Sequence, residues 1–213
     1  LDPELIKLAN KECLLSSTYE PSSKTKMKLR AAPGAGTMYL QSECAEALAE
    51  LFAGAEEAGY KLYLKSAYRA YKTQKTMYNN RLERNNGKDD GWVSKPGASD
   101  HQTGLGCDVV PGSWKDKSMN SNMASTPECQ WMAEHCYEYG FVIRYPEDKQ
   151  DITEINYEPW HLRYVGKEVA RYIWRNGLCL EEFHEQLQAA IDAYLAAGGD
   201  ARRVEYLIQK SAE

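Results

Sequence analysis

Four histidines occur in the 213 residues: His101, His135, His161 and His184. Two of them keep unusual company. His101 sits in SDHQTGLGCDVV (99–110) and His161 in YEPWHLRYVG (157–166), each with a carboxylate close by. Neither segment has amphipathic helix spacing. His135 and His184 lie in helical stretches and read as structural or surface residues. Zinc binds nitrogen, sulfur and carboxylate donors in a tetrahedron, and a catalytic site leaves one position open. His101, Asp108 and His161 would supply two imidazoles and one carboxylate. Gly104 and Gly106 let the backbone turn back between the first two, so both side chains can reach one point. Asp108 opens an apolar strand, where an unpaired carboxylate is costly to bury. Hydrolysis also needs a carboxylate that takes a proton from water and passes it to the leaving amine. Glu158, three residues before His161, is the candidate. In a regular strand the two would face opposite sides. Pro159 breaks the ladder and could bring them to one side. Each motif alone also fits a histidine that is merely packed and hydrogen-bonded, and Trp160 beside His161 favours that plainer reading.

The elements that must position these groups follow from periodicity. Residues 1–40 read as irregular, punctuated by Pro3, Pro21 and Pro33. From Ser42, the apolar residues Ala45, Leu48, Leu51, Phe52 and Ala55 recur at helical steps, and Gly59 is a stop. KLYLKSAYR (61–69) reads as a strand and residues 71–87 as a second helix. Residues 87–106 read as loop, 107–110 as a buried strand and 111–126 as a polar loop. Residues 126–140 read as a helix with Thr126 as N-cap, Pro127 in the first turn and Gly140 as terminator. Residues 141–146 read as a strand, and 154–166 as a strand with a kink. From Lys167 the chain reads as helical, ending in helices over 180–197 and 200–211. The strands near 107, 141 and 160 are close in sequence, so antiparallel pairing is expected. The fold class is α+β, with the terminal helices outside the core.

Composition bounds the rest. There are 31 acidic and 26 basic residues, a net charge of −5, and 43% hydrophobic residues, as in a soluble globular protein. The acidic balance argues against nucleic acid as a partner. No apolar run reaches the ~18 residues of a membrane span. LDPELIKLANKE does not read as a signal peptide, so export would require a leader or anchor outside this sequence. The six cysteines contain no CxxC and would permit up to three disulfides. Cys129 and Cys136 lie too far apart along a helix to pair. Cys107 should face away from Asp108 and reads as core or disulfide.

Three segments together resemble a known family. SAYRAYKTQ (66–74) resembles SxYRxxxxQ, SDHQTGLGCD (99–108) resembles SxHxxGxAxD, and EPWH (158–161) resembles ExWH. In this order and spacing they are similar to the zinc D-alanyl-D-alanine carboxypeptidases of the VanY type and to the related L,D-carboxypeptidases. Both belong to the metallopeptidases named for lysostaphin, D-Ala-D-Ala peptidases and hedgehog. The resemblance covers roughly residues 8–176. It implies a small central antiparallel sheet with flanking helices, and here extra C-terminal helices. Residues 1–40 would be an arm packed on the core, 41–176 the peptidase domain, and 177–213 a helical extension of that domain.

By the same resemblance, His101, Asp108 and His161 would hold one Zn2+ per chain, with Glu158 as general base and acid. Arg69 would hold the developing oxyanion or the substrate's terminal carboxylate. Ser66, Tyr68 and Gln74 would shape the pocket around Arg69. Ser99 would contact substrate or orient its loop, and Trp160 would form a wall. One departure is Gly106, where the family usually has alanine; losing that methyl should loosen the turn. The implied substrate is a peptidoglycan stem peptide that loses its terminal D-alanine, acted on by an exported monomer at the bacterial cell envelope. Alternatives are an L,D-carboxypeptidase on tetrapeptide stems, an endopeptidase, a D,D-dipeptidase, and a non-catalytic cell-wall-binding module.

Overall fold

Period-2 patterning divides the central sheet into an apolar face and a reactive one. The computed structural model describes residues 1–208. Its elements in chain order are β1 (Thr25–Lys26), β2 (Tyr39–Leu40), α1 (Ser42–Glu57), β3 (Leu62–Ser66), α2 (Tyr71–Arg84), β4 (Gly106–Pro111), α3 (Pro127–His135), β5 (Phe141–Ile143), α4 (Gln150–Thr153), β6 (His161–Tyr164), α5 (Lys167–Asn176) and α6 (Leu180–Ala196). The main sheet has the order β3-β4-β6-β5, antiparallel throughout, so β6 lies between β4 and β5. The class is α+β, as expected.

Cys107 pairs with Leu162, and Val109 with Leu64. These residues form one face and pack with Leu48, Leu51 and Ala55 of α1 in the principal core. The intervening residues form the other face. There Asp108 stands opposite His161 on one side and opposite Ser66 on the other. Directly opposed residues of an antiparallel pair share a face at close side-chain distance. The apolar half of the alternation therefore anchors the sheet, and the polar half is forced into one row. A second core joins Ile6 and Leu8 of the arm to Val165, Val169, Ile173, Leu180 and Phe183. The arm and the two last helices thus pack against each other beside the sheet. Farther along the arm, Ala31 forms a parallel bridge with Leu64 on β3, with Leu64 N–H donating to Arg30 O and Ala32 N–H to Leu64 O, each at 2.8 Å.

Several expectations are corrected. The strand read over 154–166 is regular only at His161–Tyr164. Glu154 has φ +57° and Pro159 has no N–H to donate, so the preceding residues cannot continue a ladder. The helix read over 126–140 is α-helical to His135 and then tightens to a 3-10 turn over Cys136–Tyr139. The loop read over 87–106 contains a 3-10 turn at Asp100–Thr103, and that over 111–126 contains two more. The described part of the helix read over 200–211 is a pair of 3-10 turns, Ala201–Arg203 and Glu205–Leu207; residues 209–211 lie outside the described residues. Val204 and Leu207 are its only half-buried apolar residues among those described, and a short helix without an apolar face to bury is marginal. All six cysteines are free thiols. Five are buried and act as small apolar residues distributed over several elements.

Candidate metal centre

The turn carrying His101 is built by local hydrogen bonds. Ser99 Oγ accepts from His101 N–H at 3.3 Å, capping the 3-10 turn Asp100–Thr103. Gly104 closes it in the left-handed region, φ +70°, where a side chain would be strained. Gln41, at the start of α1, clamps the turn by donating to Thr103 O at 2.8 Å and, through its N–H, to Gly104 O at 2.9 Å. The chain then enters β4, which delivers Asp108 to its place opposite His161.

Glu158 and His161 converge because residues 158–161 form a tight turn. His161 N–H donates to Glu158 O at 3.1 Å, and Glu158 Oε2 lies 3.5 Å from His161 Nδ1. The opposite-face rule for strands does not apply to this turn.

His161 Nδ1 is 3.1 Å from Asp108 Oδ1, and His101 Nε2 is 3.4 Å from Asp108 Oδ2. His101 Nδ1 is 2.7 Å from Ala67 O and donates to it, leaving Nε2 as a lone pair on the Asp108 side. One donor atom from each of His101, Asp108 and His161 lies within 4.8 Å of the others. Asp108 Oδ1 is buried without a hydrogen-bond partner among the described residues. Two imidazoles and a carboxylate crowded around an unsatisfied oxygen fit zinc well.

Burial and charge set the protonation here. Burial presses the Asp108 carboxyl up, but His101 and His161 outweigh it and hold it below the ordinary range. Burial lowers His101. Burial also opposes charge on His161, yet Asp100 and Asp108 raise it to about 9. Burial pushes Glu158 up to about 8.

Arg69 completes the group. Its Nη1 donates to Gln74 Oε1 at 2.9 Å and its Nη2 to Ser66 Oγ at 3.0 Å. Gln74 in turn donates to Ser94 O. Arg69, Gln74, Ser99, Trp160 and Glu158 line one cavity of about 400 Å³ together with His101, Asp108 and His161. Tyr68 is not among its lining residues; its hydroxyl donates to Glu20 on the arm at 2.8 Å. Ser66 reaches the site through Arg69.

The VanY profile, described as D-alanyl-D-alanine carboxypeptidase, matches residues 37–167. The chain belongs to the VanY family. This VanY-family chain is 39% identical to the Bacillus subtilis protein YodJ over 191 residues, 88% of this chain and 70% of YodJ. It is 34% identical over 146 residues to a D-alanyl-D-alanine carboxypeptidase of Enterococcus faecalis, spanning 64% of this chain but about half, 52%, of that protein. Among solved structures it resembles the LdcB LD-carboxypeptidase, with TM-score 0.79 and 40% identity over 86% of this chain and 87% of that one. It also resembles a vancomycin-resistance D,D-pentapeptidase VanY solved in complex with Zn(II), with TM-score 0.70 and 28% identity over 84% and 98%. As a VanY-family member the chain is a peptidase.

Sequence reasoning missed part of this VanY-family site. Trp92 stacks near Trp160, with centroids 6.4 Å apart and planes at 17°, and Met119, Asn120 and Tyr145 also line the cavity. Trp92, Met119 and Asn120 come from loops without periodicity. It also missed the fully buried Asp100, Arg144 and Arg163. The available signal was an arginine inside each short apolar strand segment, FVIRYP and HLRYV, since a buried guanidinium requires a partner.

The expected loosening at Gly106 is corrected. A Cβ there would stand 2.8 Å from Asp100 Cβ and 3.0 Å from its carbonyl carbon. Asp100 fills the space a methyl would need, so the turn is tight. Gly106→Ala should therefore destabilise the protein by about 1–3 kcal/mol, read as a lower urea midpoint; a midpoint equal to or above that of the parent would contradict this packing.

Proposed function

We propose that the protein is a zinc carboxypeptidase that removes the terminal D-alanine from peptidoglycan stem pentapeptides, a D,D-carboxypeptidase with one Zn2+ per chain. The observation that carries this reading is the convergence of His101, Asp108, His161, Glu158 and Arg69 on one cavity. His101, Asp108 and His161 would hold the metal. When bound, zinc supplies Lewis-acid activation of water and polarises the scissile carbonyl. Glu158 Oε2 takes a proton from the attacking water and returns it to the departing D-alanine nitrogen. The Arg69 guanidinium, held by Ser66 and Gln74, donates to the carbonyl oxygen as it becomes an anion or to the substrate's terminal carboxylate. Ser99 orients the His101 turn, and Trp160 with Trp92 walls the cleft. Tyr68 supports the pocket from the arm side.

In this reading residues 1–40 and 177–213 belong to the same catalytic unit as 41–176, and the protein acts as an exported monomer at the cell envelope. No helix among the described residues is long and apolar enough to cross a membrane.

A second reading is favoured by the 40% identity to LdcB: L,D-carboxypeptidase activity on tetrapeptide stems. One experiment separates them. The zinc-loaded protein is incubated with an equal mixture of stem pentapeptide and tetrapeptide, followed by mass spectrometry. Loss of one alanine from the pentapeptide alone is expected. Shortening of the tetrapeptide would establish the L,D activity instead. No change to either, with zinc bound, would overturn both in favour of an endopeptidase or a binding module.

A further inference from the structure

Four charged side chains form a closed cluster behind His161, on the side away from the cavity. Asp100 is fully buried. Its Oδ1 accepts from Arg163 Nη1 at 2.7 Å, and its Oδ2 stands 2.9 Å from Arg144 Nε. Arg144 is also held in a bidentate pair by Glu181 of α6, at 2.9 and 2.7 Å. The remaining guanidinium donors go to backbone: Arg163 Nε donates to Tyr164 O, Arg163 Nη2 to Leu5 O and Lys7 O, and Arg144 Nη2 to Ala9 O.

The open position in this cluster faces the metal centre. Asp100 Oδ2 lies 3.8 Å from His161 Nε2. Both atoms are buried, and neither has a hydrogen-bond partner among the described residues. His161 turns its Nδ1 toward Asp108 and Glu158. A neutral imidazole that offers Nδ1 to a cation carries its proton on Nε2. That N–H faces the Asp100 carboxylate.

Charge explains why Glu181 belongs to the arrangement. Asp100 with Arg144 and Arg163 alone would carry a net +1 directly behind a ligand to a dication, which opposes cation binding. Glu181 brings the four side chains to zero and draws Arg144 toward α6. Glu181 lies beyond residues 37–167, the span of the family match, and so do the three arm carbonyls.

We propose that Asp100 is the positioning residue for His161, fixing its proton on Nε2 and its Nδ1 toward the metal, and that Glu181 tunes this contact by engaging Arg144. The proposal rests on the reading of His101, Asp108 and His161 as metal ligands, and its test does not use activity. Zinc affinity of the full chain is measured by competition with a chromogenic chelator for the unmodified protein, Asp100→Asn and Glu181→Gln. The cobalt-loaded forms are compared by visible absorption.

Asp100→Asn should weaken zinc binding by about 10- to 100-fold and shift the cobalt bands. Glu181→Gln should change both in the same direction by less. A long-range 1H–15N spectrum of the unmodified zinc-loaded protein should show His161 protonated at Nε2, a readout that holds even if a variant fails to fold. Protonation at Nδ1, or folded variants with unchanged zinc affinity and cobalt bands, would overturn the positioning role. Failure of the unmodified protein to bind zinc would instead overturn the ligand reading beneath it, and the proposal with it.

Discussion

Glu158→Gln should lower kcat on the stem peptide by about 10²- to 10⁴-fold, the range for a positioned general acid–base group, while zinc content stays at one per chain. Gln keeps the side chain's size and its hydrogen-bonding ability but cannot carry the proton. The carboxylate is suited to that work by its place. It is held in the 158–161 turn 3.5 Å from His161 Nδ1, it lines the cavity, and burial raises its affinity for a proton, to a pKa of about 8. A carboxyl whose burial favours the protonated form can hold the proton taken from water and release it to an amine. Steady-state kinetics beside metal analysis of the same preparation check this. Turnover close to that of the parent would remove Glu158 from the reaction; loss of zinc would make it a ligand.

Arg69→Ala should lower kcat/KM by about 10²- to 10³-fold, comparable to removing one oxyanion donor. The guanidinium is held by Gln74 at Nη1 and by Ser66 at Nη2 and lines the cavity, so its charge is preorganised there. The split between constants identifies the oxygen it holds. A fall confined to kcat assigns Arg69 to the developing oxyanion, whereas a rise confined to KM assigns it to the terminal carboxylate. Arg69→Lys should recover only part of the loss, because an ammonium cannot reproduce the fork that meets Ser66 and Gln74 together. Arg69→Ala with unchanged kinetics would exclude both roles.

Much of the candidate site's convergence was legible in the chain. Asp108 at the opening of an apolar strand marked a carboxylate that needed a partner, and glycines at 104 and 106 marked a backbone that turns back. The apolar face of α1 announced itself through steps of three and four, and α1 buries every one of those residues. The failures share a cause. The 158–161 turn depends on where the chain must go next, which local composition does not encode. Asp100 sits beside His101 in sequence, but its partners Arg144 and Arg163, and the Glu181 that holds Arg144, are distant in the chain and meet only through the sheet and α6. The described part of the segment read as a helix over 200–211 leaves Tyr206 and Ile208 exposed, so no buried apolar face holds it as a helix.

The Ala31–Leu64 bridge has a consequence for how molecules meet one another. An unpaired outer strand offers a row of donors and acceptors on which a neighbouring chain can grow. Here the arm occupies that row along β3 through the hydrogen bonds of Arg30 and Ala32, and the opposite border, β5, is only three residues long. Neither border gives a second molecule a long template. The native protein is thereby guarded against edge-to-edge aggregation by an arm that does not line the cavity.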